Sequence, residues 1–180
     1  VGGDGMCEIT DEIDGVFQIG SEGDLVDLKE DWTDCADESF LQIGDITLDD
    51  PGAVSFRFGT IGSEFAGIYD GGGYTITLDN LGLIDGLFLY TDTAVIKNLH
   101  VAATASTELD IGGAWLVKYA ANTSFDNVSS SGNIQGDGAA GLVYLAEGST
   151  TVSDSHTTGD IMGVRAAGLI TRAGITTIPH

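Results

Sequence analysis

The chain has 180 residues, of which 42% are hydrophobic and 19% are charged, so its composition excludes a disordered protein. Its 28 acidic residues against 6 Lys and Arg give a formal net charge of −22, which disfavours nucleic acid, anionic membranes and anionic polysaccharides as partners. The charge is typical of a protein that stays soluble in salt water, and calcium binding is the alternative interpretation. No apolar run approaches the roughly 18 residues of a transmembrane helix.

Residues 1–38 predict a cap that differs in kind from the rest of the chain. Sixteen of the 28 acidic residues lie within residues 1–50, and both cysteines, Cys7 and Cys35, fall in the cap. We expect these two residues to form a disulfide, which would stabilise the fold by about 3–4 kcal/mol on the chain-entropy model. A disulfide implies an oxidising compartment, whereas the alternative is two reduced thiols in a cytosolic protein.

Residues 21–32 predict a short helix within this cap. Ser21 is suited to the N-cap position, with Asp24 three residues further on. The apolar residues that would share one face of the helix are Leu25, Leu28 and Trp32. Because a solenoid needs its open end covered, we expect this helix to lie over the first turn of the repeats.

Residues 39–180 predict an all-β fold, a right-handed parallel β-helix with about 27 residues per turn. Residues 40–48 predict the first strand of the stack, and residues 65–78 predict a strand, a tight turn and a strand. Further along, an anchor leucine recurs at intervals of 29, 26 and 27 residues, at Leu87, Leu116, Leu142 and Leu169. A second apolar position recurs at intervals of 29, 27 and 26 residues, at Ile96, Phe125, Val152 and Ile178.

Stacked repeats place equivalent residues in columns, because each strand bonds to its equivalent above and below. The two apolar series should therefore form two inward columns that build the core. Asn98, Asn127 and Asp154 fall in register as a polar column, in which side-chain amides can bond along the stack. Asn122 and Asn127 also begin glycosylation sequons, and Asn122 is the better candidate because it lies in a predicted turn, whereas Asn127 belongs to the polar column and is expected to point inward.

Several of these blocks resemble those of microbial surface proteins that carry GLUG repeats. The residues concerned are the opening segment 25–48, the block Phe-Ala-Gly-Ile-Tyr-Asp-Gly-Gly-Gly-Tyr-Thr-Ile at 65–76, Gly86-Leu-Phe with Ala94-Val-Ile-Lys-Asn-Leu, and the pair Ala140-Gly-Leu-Val and Ala167-Gly-Leu-Ile. The resemblance covers roughly residues 20–178. It implies a secreted or cell-surface β-helix of the adhesin type, and it carries over no catalytic residues because the matching blocks are structural.

The candidate catalytic and metal-binding residues of the sequence do not group as an active site would require, which favours a protein that is not an enzyme. His100 and His156 fall two turns apart, roughly 9–10 Å, which is too far to share a metal ion. A lyase of this shape would need an Asp-bound calcium beside a Lys or Arg, and Lys97 and Arg165 lie within the repeats without an acidic cluster around them in sequence. A glycosidase would need two opposed carboxylates.

The sequence therefore predicts a non-catalytic structural or adhesive module, extracellular or at a cell surface. Its partners would be the rest of a larger surface protein or copies of itself, with carbohydrate as a further candidate. The alternatives are a filament subunit that stacks end to end, because the fourth repeat breaks off at His180, and a carbohydrate-active enzyme. No cofactor is predicted apart from the calcium alternative, and no metal ligands can be named.

Overall fold

The computed structural model describes residue 7, residue 9, residues 11–49, residue 58 and residues 62–174. These residues form a β-solenoid of about 5 turns with a spacing of about 27 residues, which confirms the predicted fold. The described elements, in chain order, are β1 (Glu12–Ile13), β2 (Val16–Ile19), α1 (Glu22–Glu30), α2 (Trp32–Cys35), β3 (Ser39–Gln42), β4 (Ile46–Leu48), β5 (Ile68–Asp70), β6 (Thr75–Leu78), β7 (Gly82–Ile84), β8 (Phe88–Asp92), β9 (Val95–Ala103), β10 (Thr107–Leu109), β11 (Val117–Ala121), β12 (Ser124–Ser131), β13 (Val143–Glu147), β14 (Thr151–Ser153), β15 (His156–Thr158) and β16 (Ile170–Gly174).

The strands stack into three sheets that run along the axis of the solenoid. The first sheet follows the order β1-β2-β3-β5-β9-β12-β14, and β4, β6 and β15 join it through their neighbours. The second follows the order β8-β11-β13-β16, and the third pairs β7 with β10. Within the described part of the chain, β1 and β2 pair antiparallel as a hairpin, and the other strand pairs are parallel.

The pairing of the second sheet confirms the spacing of the anchor leucines. Val117 pairs with Phe88 and with Val143, and Val143 pairs with Ile170, which reproduces the intervals of 29, 26 and 27 residues. The anchors Leu87, Leu116 and Leu142 are all buried. Leu169 was expected to be inward-facing as well, but it is 38% exposed. The reason is that β16 is the last strand of this sheet among the described residues, so no described turn packs beyond it.

Burial in the second apolar column also decreases toward the last described turn. Ile96 and Phe125 are fully buried, and they pair in register between β9 and β12. Val152 pairs with Phe125, but it is only partly buried and packs at the edge of the core. Ile178, the fourth member predicted for this column, lies outside the described residues.

The N-terminal helix has the cap and the buried face that the sequence predicts. The Ser21 side chain accepts a hydrogen bond from the amide of Asp24, and the Asp24 carboxylate accepts one from the Ser21 amide in return. Leu25, Leu28 and Trp32 are buried, although α1 ends at Glu30 and Trp32 begins α2. The predicted disulfide joins Cys7 to Cys35.

The solenoid begins earlier in the chain than the sequence suggests. Strand β2 precedes the helix and pairs in parallel with β3, so the segment predicted as a cap also contributes a strand to the stack. The predicted strand over residues 40–48 is in fact two strands, β3 and β4, which are separated by residues 43–45.

The core changes in character along the axis. The turns next to the helices are filled by rings that contact one another, and these are Phe17, Trp32, Phe40, Phe58, Phe65, Tyr69 and Phe88. The turn built on β13 is instead filled by smaller buried side chains, namely Ala139, Ala140, Leu142, Val143 and Ala146. The polar atoms of the aromatic end are paired, since the buried Tyr69 hydroxyl donates to Gln42 at 3.3 Å.

Candidate binding groove

The predicted polar column forms one corner of the solenoid, where the backbone turns. Asn98, Asn127 and Asp154 have φ angles of 51°, 52° and 47°, in the left-handed region that Asn and Asp tolerate better than most residues. The Asn127 amide Nδ2 donates to Oδ1 of Asn98 at 3.0 Å, and Nδ2 of Asn98 donates to Oδ1 of Asp70 at 3.0 Å. Asn127 is exposed, so its expected inward orientation is wrong: a left-handed corner directs its side chain outward.

Asp70 is a member of this column that the sequence did not reveal. In the strand pairing Asp70 aligns with Lys97 rather than with Asn98, so it is one residue out of register with the column. Burial raises the pKa of Asp70, but hydrogen bonds from Asn98 and the Gly72 amide, together with the Lys97 ammonium at 3.2 Å, outweigh that effect and hold the pKa below its usual value.

Replacement of Asn98 separates the two contributions of this corner to stability. Asn98→Ala loses the column hydrogen bonds and also strains a left-handed backbone, so we expect a loss of about 2 kcal/mol in the free energy of unfolding. Asn98→Gly loses the hydrogen bonds but relieves the backbone, so its loss should be about 1 kcal/mol. Equilibrium denaturation in urea measures both values, and equal losses would show that the left-handed conformation costs nothing here.

Asn122, the preferred glycosylation candidate, lies at a second left-handed corner. Its φ angle of 48° matches those of Thr93 at 60° and Gly148 at 61° in the neighbouring turns. Its side chain donates to Asp92 at 3.0 Å and accepts from the Ser149 amide at 3.1 Å. Asn122 is exposed, as a sequon requires, and glycosylation of Asn122 and Asn127 stays a prediction.

The histidines lie on the strands as the repeat register predicts. His100 and His156 both pair with Ser129, so they are two turns apart. The His100 ring contacts the Ser129 hydroxyl at 2.7 Å and the Ser131 hydroxyl at 3.0 Å. Burial, and then the charge of His156, lower the pKa of His100. His180 lies outside the described residues.

Within the described ranges, no three His, Cys, Asp or Glu side chains gather into a set that could hold a metal ion. None of the helices in these ranges has both the length and the apolar character needed to cross a bilayer.

A row of tyrosines runs along the outer face of the second sheet. Tyr90 and Tyr119 pair in register, and their rings stack at 4.8 Å between centroids with an interplanar angle of 14°. Tyr144 in the next turn meets Tyr119 edge to face at 6.0 Å. The guanidinium of Arg172, one turn further, lies 5.4 Å from the centroid of the Tyr144 ring. Side chains of four consecutive strands thus form a continuous aromatic strip with a cation at its end.

Tyr119, Tyr144 and Arg172 of this strip form one wall of a groove of about 300 Å³, which we call the tyrosine groove. The opposite wall is built from the loops that lead into the second sheet. Each of three successive turns contributes two adjacent loop residues to this wall. The residues that line the groove are Ile111, Gly112, Lys118, Tyr119, Asp137, Gly138, Tyr144, Val164, Arg165 and Arg172. Tyr144 lies against Gly112, where a β-carbon would come within 3.0 Å of the Tyr144 ring.

Arg165 occupies a strained position in the loop wall. Gly112, Gly138 and Arg165 stand at equivalent places in successive turns, and their φ angles are 65°, 70° and 61°. Glycine adopts this left-handed backbone freely, whereas a long side chain there costs about 1–2 kcal/mol. A cation at a position that otherwise carries glycine indicates a role for its side chain, since strain of this kind collects at functional sites.

Charge is distributed unequally around the tyrosine groove. The Lys118 ammonium pairs with the Asp85 carboxylate at 2.5 Å. Asp137 accepts a hydrogen bond from the Val164 amide at 2.9 Å, so its carboxylate helps to hold the loop wall. Among the described residues, no carboxylate forms an ion pair with Arg165 or Arg172.

Sequence reasoning named Arg165 but missed the rest of the groove. Tyr90 and Tyr119 each stand three residues after the anchor leucine of their repeat, and this recurrence was the available signal, whereas Tyr144 stands two residues after Leu142 and breaks it. Lys97, the other cation considered for catalysis, is on a different sheet and pairs with Asp70. Comparison with known protein families, curated proteins and solved structures found no match to the chain.

Proposed function

We propose that the chain is a non-catalytic, extracellular module that adheres to carbohydrate through the tyrosine groove. The observation that carries the proposal is the row of tyrosine rings over consecutive turns. Because the rings pack on one another, their exposed edges provide the apolar surface that contacts the C–H groups of a sugar ring, while the phenol hydroxyls can form hydrogen bonds. A row of such rings along one axis suits a chain of linked sugars better than a single compact ligand.

The backbone of the groove favours binding with little rearrangement. Tyr119 and Tyr144 project from β11 and β13, which are inner strands of the second sheet. Side chains on paired strands hold their positions more closely than side chains on loops, so less entropy is lost when a ligand binds. This preorganisation of the two side chains supports an adhesive or spacing role.

The chemistry of the groove lining supports binding rather than sugar cleavage. Asp137 is the one carboxylate among the described lining residues, and one of its oxygens already accepts a backbone amide. Glycosidases use two carboxylates that flank the bond to be cleaved. A role outside the cytosol is supported by the Cys7–Cys35 disulfide and by the resemblance to GLUG-repeat surface proteins.

Alanine replacement of the groove tyrosines tests this proposal. Binding of oligosaccharides, both neutral and acidic, is measured by calorimetry on the whole chain. We expect Tyr119→Ala and Tyr144→Ala each to weaken binding about tenfold, since each removes a stacking surface of roughly 1.4 kcal/mol. Tyr74→Ala is the matched control, because Tyr74 is 39% exposed but does not line the groove. Carbohydrate that fails to bind, or binding unchanged in both groove variants, would overturn the proposal.

A further inference from the structure

We infer that the tyrosine groove selects an acidic saccharide, whose carboxylate or sulfate groups bind Arg165 and Arg172 while its sugar rings pack on Tyr119 and Tyr144. This inference rests on the proposed function and adds the chemical class of the ligand. It departs from the expectation drawn from net charge, which treated the surface as uniformly repulsive to anions.

The cations of the chain are concentrated at this groove. The sequence holds 6 Lys and Arg against 28 acidic residues, yet three of those six, Lys118, Arg165 and Arg172, line the tyrosine groove. The Asp85 carboxylate offsets the charge of Lys118, whereas the two arginines have no carboxylate partner among the described residues. An anion that enters the groove therefore meets two guanidinium groups, each able to bind a carboxylate or sulfate through two N–H donors.

Placement of these groups matches a polymer that lies along the axis. Tyr119 and Arg172 both align with Leu145, so they occupy one column two turns apart, at roughly 9–10 Å. Tyr144 lies between them, with its ring covered at one side by the Arg172 guanidinium. A ligand that follows the groove would meet the tyrosine side chains first and the guanidinium groups next, an order that suits a chain of sugar rings with acidic substituents.

The same strands disfavour an acidic peptide. A peptide commonly binds a sheet by pairing its backbone with a free edge strand. Here β11 and β13 are bonded on both sides, to β8 and β13 and to β11 and β16 respectively, so their backbone groups are already used. Recognition in the groove must come from side chains, which favours a ligand that offers ring faces and charges.

The net charge of −22 does not prevent such binding. Charges separated by more than the Debye length, about 8 Å at physiological ionic strength, are largely screened. Most of the acidic residues lie in the first 50 positions, whereas the groove is built from residues 111–172. Contacts between a bound anion and the two arginines act within a few ångströms and are screened much less.

The test compares two sugars with the same backbone, one with free carboxylates and one with neutral methyl esters, with EDTA present to exclude calcium bridging. The probes are a short oligogalacturonate and its methyl ester, with a sulfated heparin oligosaccharide and polyglutamate as further ligands. We expect the oligogalacturonate to bind at least about tenfold more tightly than its ester. Arg165→Gly and Arg172→Gln should remove this preference, and Lys97→Gln, a cation outside the groove, should keep it.

Arg165→Gly gives the clearer test because glycine fits the left-handed backbone at this position, so a loss of binding would not result from misfolding there. Glycine is the residue at the two equivalent positions, Gly112 and Gly138, so the variant should be at least as stable as the native chain. Equal binding of acid and ester would overturn the inference but leave the proposed function standing. Binding of polyglutamate as tight as that of the sugars, or binding of no acidic probe, would overturn the inference. Failure of every sugar probe to bind, the methyl ester included, would overturn the proposed function as well.

Discussion

Replacing Leu142 with Ala should lower the free energy of unfolding by about 2–5 kcal/mol. Leu142 is fully buried in the anchor column, between Leu116 and Leu169. Its amide donates to the Leu169 carbonyl at 3.1 Å and its carbonyl accepts from Val117 at 2.9 Å. Because the backbone is held on both sides, the stack cannot close over the space that the missing side chain leaves, so the cost should include a cavity as well as the lost apolar contact.

Leu169→Ala is the matched control for this prediction. Leu169 holds the same place in its repeat, but it is 38% exposed. The same substitution should therefore cost less there than at Leu142, since 38% of the Leu169 surface already contacts water and no described turn encloses the space left behind. Chemical denaturation followed by circular dichroism gives both values. A loss below about 0.5 kcal/mol for Leu142→Ala would mean that the register of the anchor column is wrong.

Removing the disulfide should cost about 3–4 kcal/mol on the chain-entropy model. Cys7 and Cys35 are 28 residues apart in sequence, and Cys35 is fully buried in α2. The double variant Cys7→Ala and Cys35→Ala frees the loop in the unfolded chain without leaving a polar hydroxyl in the core. Its free energy of unfolding, measured as above, should fall by this amount.

Reductant provides the control for the disulfide. Dithiothreitol should lower the stability of the native chain toward that of the double variant and leave the variant itself unchanged. Native and variant proteins with the same denaturation midpoint would show that the bond restrains nothing in the unfolded state. The prediction for Leu142 is independent of this one, because the two sites lie in different turns of the stack.

The repeat could be predicted because every turn must bury the same positions. Leu87, Leu116 and Leu142 recur at the spacing of the strands themselves. Hydrogen bonding between turns then fixes the register of the strands that follow these leucines. The polar corner at Asn98 and Asn127 could be predicted for the same reason. Side-chain direction at the corner could not, since it depends on a left-handed backbone that the spacing does not reveal.

The tyrosine groove could not be predicted from the sequence, for a different physical reason. Tyr90 and Tyr119 share a column, but Leu145 takes the equivalent place in the next turn, and Tyr144 belongs to the neighbouring column. The rings touch because their side chains are long enough to reach across one column, not because their spacing is regular. Likewise, Arg172 contacts Tyr144 because the fold places them side by side, and their spacing in sequence does not reveal this. The strongly negative net charge also gave no sign that three of the cations lie together.

The shift from aromatic to small side chains along the core should make the turns next to the helices more resistant to local unfolding than the turns at the other, looser end. A turn in a solenoid is held by its own packing and by its two neighbours, so opening should spread inward from the turns with the smaller buried side chains. Amide hydrogens of β13 and β16 should thus exchange faster than those of β3 and β5. The tyrosine groove spans these looser turns, and a ligand that bridges them would slow their opening by mass action. Ligand binding in the groove and local opening of these turns would then be coupled in one equilibrium, and the turns should resist fraying best when the groove is occupied.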